Sequence, residues 1–205
     1  CLLENAPDAG LLKTVGEQSG VEDIFALSSI FDYKLNDSVP LFGSIAELLA
    51  LCESGKTSVP EMAFAFEAKR SGLGRFEVTA RAARIWDVMV RSIDAGIKGD
   101  NRLIAGFMPG NDAAKLMKTV TEGRNVSGPI LGTAVARAIA TMESNGCMGC
   151  VAAAPTAGSC GVMPGTLLTV AENLGSKPEE IYQALLVGAV IGVLVGMRAP
   201  VSGAL

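Results

Sequence analysis

The chain has 205 residues, of which 49% are hydrophobic and 5% aromatic, so it is long enough to bury a full core of mainly aliphatic side chains. Its formal net charge is −4 and its basic residues are scattered, which argues against nucleic acid as the main partner. Histidine is absent, which removes the usual general base near neutral pH and the commonest metal ligand. Any proton transfer must therefore use a lysine, a cysteine, a tyrosine, a carboxylate or a residue of another chain.

Two capping boxes predict the first helices. Ser44-Ile-Ala-Glu47 predicts a helix over Ile45–Glu53, and Ser58-Val-Pro-Glu61 predicts a second helix over Glu61–Arg70. In each box a serine can accept a hydrogen bond from the backbone three residues later, while the glutamate can reach back to the serine. Each helix start is therefore predicted from local chemistry alone.

Apolar residues at helical spacing predict five further helices. These helices are predicted over Phe76–Ala95, Ala113–Glu122, Ile130–Glu143, Gly165–Asn173 and Glu180–Arg198. Gly96 and Gly99 are expected to end the first of them, Asn111 or Asp112 to cap the second, and a box at Ser176–Glu179 to open the last. Two apolar stripes are predicted, one made of Val78, Ala82, Ile85, Met89 and Ile93 and one made of Leu131, Val135, Ala138 and Met142.

The sequence predicts an all-α fold, because no convincing two-residue alternation appears. We expect residues 1–205 to form a single helical domain, with a buried apolar central helix and a Gly/Pro-rich loop. Ala184–Met197 is apolar all round and carries glycines at four-residue spacing, which lets helices approach closely. Its 14 uncharged residues fall short of the roughly 20 that span a bilayer. We therefore predict the buried central helix here, no membrane span, and overpacking of the core by Gly192→Leu.

The stretch Asn145–Gly165 has the most unusual composition in the chain. It holds five glycines and three cysteines, and no charged residue occurs from Ser144 to Ala171. It is too rich in Gly and Pro for one helix and too apolar for a solvated linker, which indicates a loop held against the core. Its hydroxyls, its flexible glycines and a helix start at Pro164 are typical of a small-anion site. A tight connection between two buried helices explains the same pattern equally well.

The cysteines leave several interpretations open. Cys147-x-x-Cys150 together with Cys160 is compatible with metal binding or redox chemistry, with small core residues and with a reactive thiol. Three local thiolates fall short of the set that a four-iron cluster normally needs. We predict loop or core thiols for all three, no stable four-iron cluster in the isolated chain, and reduced thiols in the cytoplasm.

The run Asn145–Gly165, with Pro155-Thr-Ala-Gly-Ser-Cys-Gly161 at its centre, resembles the signature of the iron–sulfur-dependent L-serine dehydratase alpha chain. The resemblance extends more weakly from about Ala105 to Ala204, through Ala105-Gly-Phe-Met-Pro-Gly-Asn-Asp-Ala113 and Ala199-Pro-Val-Ser-Gly-Ala204. The chain departs from the family at Asn145-Gly-Cys-Met-Gly149, where the family often has Asn-Ala-Ala-Met-Gly.

The resemblance implies a lyase of amino-acid degradation and gluconeogenesis that deaminates L-serine to pyruvate and ammonia. A 4Fe–4S cluster would act as Lewis acid, with cysteines expected beyond Leu205, and histidines would come from a beta chain or beta domain. The chain alone is therefore expected to be an incomplete part of an oligomeric enzyme, and no catalytic base is assigned. The resemblance and the loop chemistry together predict that the substrate carboxylate binds at Thr156, Ala157, Gly158, Ser159 and Cys160.

Two other functions compete with this interpretation. A pyridoxal phosphate enzyme needs a buried lysine near a Gly-rich phosphate loop, but no lysine lies between Lys118 and Lys177. A non-catalytic helical module that binds a small carboxylate through the same loop is the stronger alternative.

Overall fold

The computed structural model describes residues 41–98 and 110–198, together with Thr14. Within these ranges the chain is all-helical and contains no strand, which confirms the all-α prediction. Whether residues 1–205 form one domain stays a prediction. The sequence also predicts a loop at Leu103–Gly110, of which only Gly110 lies among the described residues. The helices are α1 Ile45–Gly55, α2 Val59–Ser71, α3 Arg75–Lys98, α4 Asp112–Thr121, α5 Gly128–Gly146, a 3-10 helix Ala157–Ser159, α6 Val162–Leu174 and α7 Pro178–Gly196.

Local side-chain caps start α1 and α2, as predicted. Ser44 Oγ accepts a hydrogen bond from the Glu47 N–H at 3.1 Å, and Glu47 Oε2 accepts from the Gly43 N–H at 2.8 Å. Ser58 Oγ accepts from the Glu61 N–H at 3.4 Å. Each cap satisfies a backbone donor that the first turn of a helix leaves without a partner.

The longest helix, α3, lies at the centre of the fold and contacts α2, α4, α5, α6 and α7. It continues through Gly96 to Lys98, so the prediction that Gly96 ends it is wrong. A Cβ atom at Gly96 would lie 2.1 Å from the Ala140 carbonyl oxygen of α5. The glycine therefore permits a close contact between two helices. The buried face of α3 includes Val78, Ala82, Trp86, Met89 and Ile93.

The last helix, α7, packs mainly against α2 and also contacts α3, and only one of its faces is buried. Leu185 and Leu186 are fully buried, whereas Ile191 is 42% exposed and Val195 is 51% exposed. The prediction of a buried helix at Ala184–Met197 is confirmed for this face, whereas the central position predicted for it is taken by α3. Among the described residues α7 alone is long and apolar enough to cross a membrane, although core helices of soluble proteins pass the same test. The prediction of no membrane span stays a prediction.

Gly192 does not lie at a close helix contact. A Cβ atom built on it has no heavy atom within 4 Å. The residue lines a small apolar recess of about 50 Å³, together with Ala154, Pro155 and Met163. A single methyl group therefore has room at this position, and the overpacking expected for the larger side chain of Gly192→Leu stays a prediction.

Helix α5 buries a different face from the predicted one. Leu131 is 57% exposed, and Val135 and Met142 are exposed as well, so this predicted stripe does not face the core. The buried face consists of small residues and, near the carboxyl end, polar ones. These buried residues are Gly132, Ala136, Ala140, Thr141, Glu143 and Ser144.

Candidate functional site

The predicted substrate loop connects α5 to α6. The chain leaves α5 at Gly146, passes through a cis peptide bond between Ala154 and Pro155, and forms the 3-10 helix Ala157–Ser159. It enters α6 at Val162, with Pro164 in the first turn as predicted. The loop is therefore held at both ends by two helices that pack against each other.

Two glycines permit this close packing of α6 on α5. A Cβ atom at Gly161 would lie 2.2 Å from the Ala138 carbonyl oxygen, and one at Gly165 would lie 2.7 Å from the Ala134 carbonyl oxygen. Neither backbone atom can move without shifting a helix, so these positions accept only glycine at the present helix separation. The position of the Thr156–Cys160 loop therefore depends on the packing of α5 against α6.

The hydroxyls of Thr156 and Ser159 bond within the loop. Thr156 Oγ1 and Ser159 Oγ lie 3.1 Å apart, and Ser159 Oγ accepts from the Thr156 N–H at 3.3 Å. Ser159 Oγ also lies 3.2 Å from the carbonyl oxygens of Ala154 and Thr156, to either of which it can donate. This geometry is that of a capping box. Both side chains remain partly exposed.

Two backbone donors of the same loop have no partner among the described residues. The N–H groups of Ala157 and Gly158 donate no hydrogen bond there, and both residues are exposed. They are the first two amides of the 3-10 helix, which the helix itself cannot satisfy. Two adjacent amides of this kind, beside two hydroxyls, suit a small anion such as a carboxylate.

A side chain of α5 holds the loop. Asn145 Nδ2 donates to the Ala157 carbonyl oxygen at 3.1 Å. Asn145 belongs to the predicted stretch, but the sequence assigned it no role, because its partner lies twelve residues further along. The sequence did carry one signal for this role of Asn145, namely a polar residue near the end of a helix and just before a Gly-rich loop.

The three cysteines of the stretch do not converge. Cys160 is fully buried with its Sγ 3.7 Å from Met142 Sδ, Cys147 is partly buried and Cys150 is exposed. Burial raises the pKa of the Cys160 thiol above its usual range, which favours a protonated core thiol. Across residues 41–98 and 110–198, no three His, Cys, Asp or Glu side chains are close enough together to hold a metal ion.

The sequence also gave no role to Glu143, a buried carboxylate at the end of α5. Its Oε1 accepts from the backbone N–H groups of Asp112 at 2.7 Å and Ala113 at 3.3 Å, at the start of α4. An acidic residue in the last turn of a helix opposes the helix dipole. That unfavourable position was the signal that Glu143 has a partner elsewhere in the fold.

Comparison with known proteins identifies relatives of the chain. The family model for the serine dehydratase alpha chain matches residues 51–205. A probable L-serine dehydratase alpha chain from Bacillus subtilis is 30% identical over 164 residues, which cover 80% of this chain and 54% of the relative. The L-serine dehydratase alpha chain of Peptoniphilus asaccharolyticus is 26% identical over 168 residues, 80% of this chain and 56% of the relative.

A third relative is the L-serine dehydratase TdcG of Escherichia coli, which is 31% identical over 189 residues. The alignment covers 89% of this chain and 40% of TdcG. The chain thus spans about half the length of the two alpha chains that it matches and a smaller share of TdcG.

Proposed function

The chain belongs to the serine dehydratase alpha chain family, and we propose that it is the alpha part of an L-serine ammonia-lyase. In this reaction the α proton and the hydroxyl group of L-serine leave as water, and the resulting enamine tautomerises to an imine. Hydrolysis of the imine gives pyruvate and ammonia and uses one water. The observation that carries the proposal is the family match together with the exposed residues Ala157 and Gly158, whose amides donate no hydrogen bond among the described residues.

In this proposal the loop binds the substrate carboxylate. The N–H groups of Ala157 and Gly158 donate to its oxygens, and the hydroxyls of Thr156 and Ser159 lie beside them. Fixed donors stabilise the negative charge that builds next to the carboxylate when the α proton leaves. Asn145 acts as a positioning residue, because its hydrogen bond to the Ala157 carbonyl orients the peptide unit that carries the Gly158 N–H.

The family implies a four-iron cluster, but the described residues do not fit one. Cys160 is buried with a raised pKa, and among residues 41–98 and 110–198 neither Cys147 nor Cys150 belongs to a group of three potential ligands. No step of the reaction is therefore assigned to a cluster held by these residues. A beta chain or beta domain, an oligomeric assembly and a cytoplasmic location remain parts of the proposal.

Proline at position 157 tests the amide donors directly. Ala157 opens the 3-10 helix, and Thr156 before it is extended with φ −121° and ψ 161°, so a proline fits the backbone and removes only the N–H. In the enzyme assembled with its beta part, Ala157→Pro should lower kcat/KM for L-serine about 10- to 150-fold, because a hydrogen bond to a charged group is lost. Pyruvate formation measures the change. The matched control is Ile45→Pro, which opens α1 after an equally extended Ser44.

Substitution of the hydroxyls separates binding from capping. If Thr156 and Ser159 contact the substrate, Thr156→Val and Ser159→Ala should each lower kcat/KM about 10- to 150-fold with little change in melting temperature. If they only shape the turn, the melting temperature should fall while the kinetics of the folded enzyme stay normal. Normal turnover in all three loop variants would refute the assigned site. An assembled protein that binds small carboxylates and forms no pyruvate would instead be the non-catalytic module.

A further inference from the structure

The side of α5 that faces away from the core carries large apolar side chains. Leu131, Val135 and Met142 follow one another at intervals of four and seven residues, so they lie along one side of the helix. The other sides of α5 pack against α3, α4 and α6. All three side chains are exposed, so the packing of α5 leaves this side open in the described part of the chain.

Helix α6 lies beside this stripe and runs in the opposite direction. Gly161 faces Ala138, and four residues later Gly165 faces Ala134, so α5 and α6 are antiparallel where they touch. In an antiparallel pair, the residues that directly follow the contact residues turn to the same side of the pair. The exposed side of α5 and the matching side of α6 therefore form one surface.

This surface is apolar on both helices. Val135 and Val162 directly follow contact residues, and Val170 lies about two turns beyond Val162 on an exposed side of α6. Met142 joins the surface to the start of α6, because its Sδ lies 3.7 Å from Cys160 Sγ. The five exposed residues, which we call the outer α5–α6 face, are 38% to 66% exposed and comprise Leu131, Val135, Met142, Val162 and Val170.

The outer α5–α6 face carries no charge of its own. No charged residue occurs from Ser144 to Ala171, and the only charged residues from 128 to 143 are Arg137 and Glu143. Glu143 is buried, and Arg137 pairs with Glu172 at 2.6 Å with its side chain only 14% exposed. A surface that covers this face without leaving a charge unpaired must itself be apolar and uncharged.

A second copy of the chain offers such a surface, because it carries the same face. The net charge of the chain is −4, so two copies repel each other least across an uncharged face. Five half-exposed side chains of this size form an apolar surface of roughly 300–500 Å². A stable dimer buries about 800 Å² on each partner, of which about two thirds is apolar. The face therefore supplies the apolar centre that a dimer of this chain needs.

We propose that the outer α5–α6 face is the contact between two copies of this chain, related by a two-fold axis. The antiparallel pair of each copy then forms half of a four-helix bundle, with the same residues of both copies at its centre. Val135, Met142 and Val162 lie at that centre, whereas Leu131 lies at the end of the stripe, in the rim, where substitution costs little. The inference adds a surface to the proposed function and rests on packing and charge alone.

Sedimentation velocity of the 205-residue chain tests this contact. Between about 1 and 100 μM, the chain should sediment as a dimer, or as a monomer–dimer equilibrium without larger species. The measurement uses no substrate. The dimer can therefore fail while the proposed reaction stands, and the reaction can fail while the dimer stands.

Three variants make the test specific. Val135→Glu and Val162→Glu each place unpaired carboxylates in the buried centre and should raise the dissociation constant of the dimer more than about 100-fold. Both positions are exposed in a single copy, so both variants should fold, which far-UV circular dichroism checks. The control Phe76→Glu alters an exposed apolar residue about 24 Å along α3 from Ser92, which contacts α5, and should leave the dissociation constant unchanged.

Loss of the dimer in both face variants but not in the control supports the contact. A monomeric wild-type chain overturns it, including a chain whose face is covered only by the beta part of an assembled enzyme. A dimer that persists in both face variants uses another surface and overturns the proposal as well. Loss of the dimer in all three variants, or species that grow steadily with concentration, indicates nonspecific association and has the same consequence.

Discussion

The two faces of α5 follow opposite rules. The face toward the core carries small residues, including Gly132, Ala136 and Ala140, and the solvent-exposed face carries Ile130 and Leu131 among other large aliphatic side chains. In most amphipathic helices the larger apolar residues face inward. Here the inward face carries small residues, because the backbone of α5 lies directly against glycines of α3 and α6.

Which residues of α5 are buried therefore depends on the distance between the helices, and not on the hydrophobicity of each residue alone. A helix that lies against its neighbours at backbone contact cannot place leucine there. Dispersion contacts between backbones and small side chains then replace those of large side chains. The polar residues Thr141 and Ser144 enter the same buried face, because each finds a hydrogen-bond partner in the fold.

The largest effect is expected from adding one methyl group at the buried contact. Gly96→Ala places Cβ 2.1 Å from the Ala140 carbonyl oxygen, so the helices must separate. We expect a loss of about 3 kcal/mol in the free energy of unfolding, measured by chemical denaturation. The control Gly192→Ala has open space around its Cβ and should gain up to about 1 kcal/mol from helix propensity. Equal effects of the two changes would refute the close contact.

A smaller effect is expected from a buried hydrogen bond on the same face. Ser144 Oγ donates to the Ser92 carbonyl oxygen of α3 at 2.6 Å, and both residues are buried. Ser144→Ala removes that donor and should lower the free energy of unfolding by about 1–2 kcal/mol, measured by denaturant titration. Ser54→Ala, which removes an exposed bond to the Leu51 carbonyl, should change it by less than about 0.5 kcal/mol. A stable Ser144→Ala protein would contradict the role of this bond between helices.

The smallest effect is expected on the exposed face. Leu131→Gln should change the free energy of unfolding by less than about 0.5 kcal/mol, because the leucine is 57% exposed and loses little burial. Leu185→Ala, at a fully buried position of α7, should cost about 2–5 kcal/mol in the same measurement. If Leu131→Gln were as costly as Leu185→Ala, the predicted stripe would face the core after all.

The helix starts separate what local sequence can and cannot specify. The caps at Ser44 and Ser58 were predicted correctly, because each serine bonds to an amide only three residues away. The start of α4 was predicted one residue late. Asn111 occupies the N-cap position as predicted, but its side chain does not cap the helix, because the first amides bond to Glu143, about thirty residues later. For α7 the cap was predicted one residue early, at Ser176 rather than Lys177, and the first helical residue two residues late, at Glu180 rather than Pro178.

The sequence by itself determined the helical class, most helix positions, the family and the loop between α5 and α6, because these follow from periodicity, local caps and a long specific motif. Tertiary structure alone decided that α3 is central, that the large aliphatic face of α5 is exposed, and that Glu143 meets α4. The physical reason is that hydrophobicity is a property of each single residue and can be read from the sequence. Close packing depends instead on pairs such as Gly96 and Ala140, which lie far apart in the chain and meet only in the folded protein.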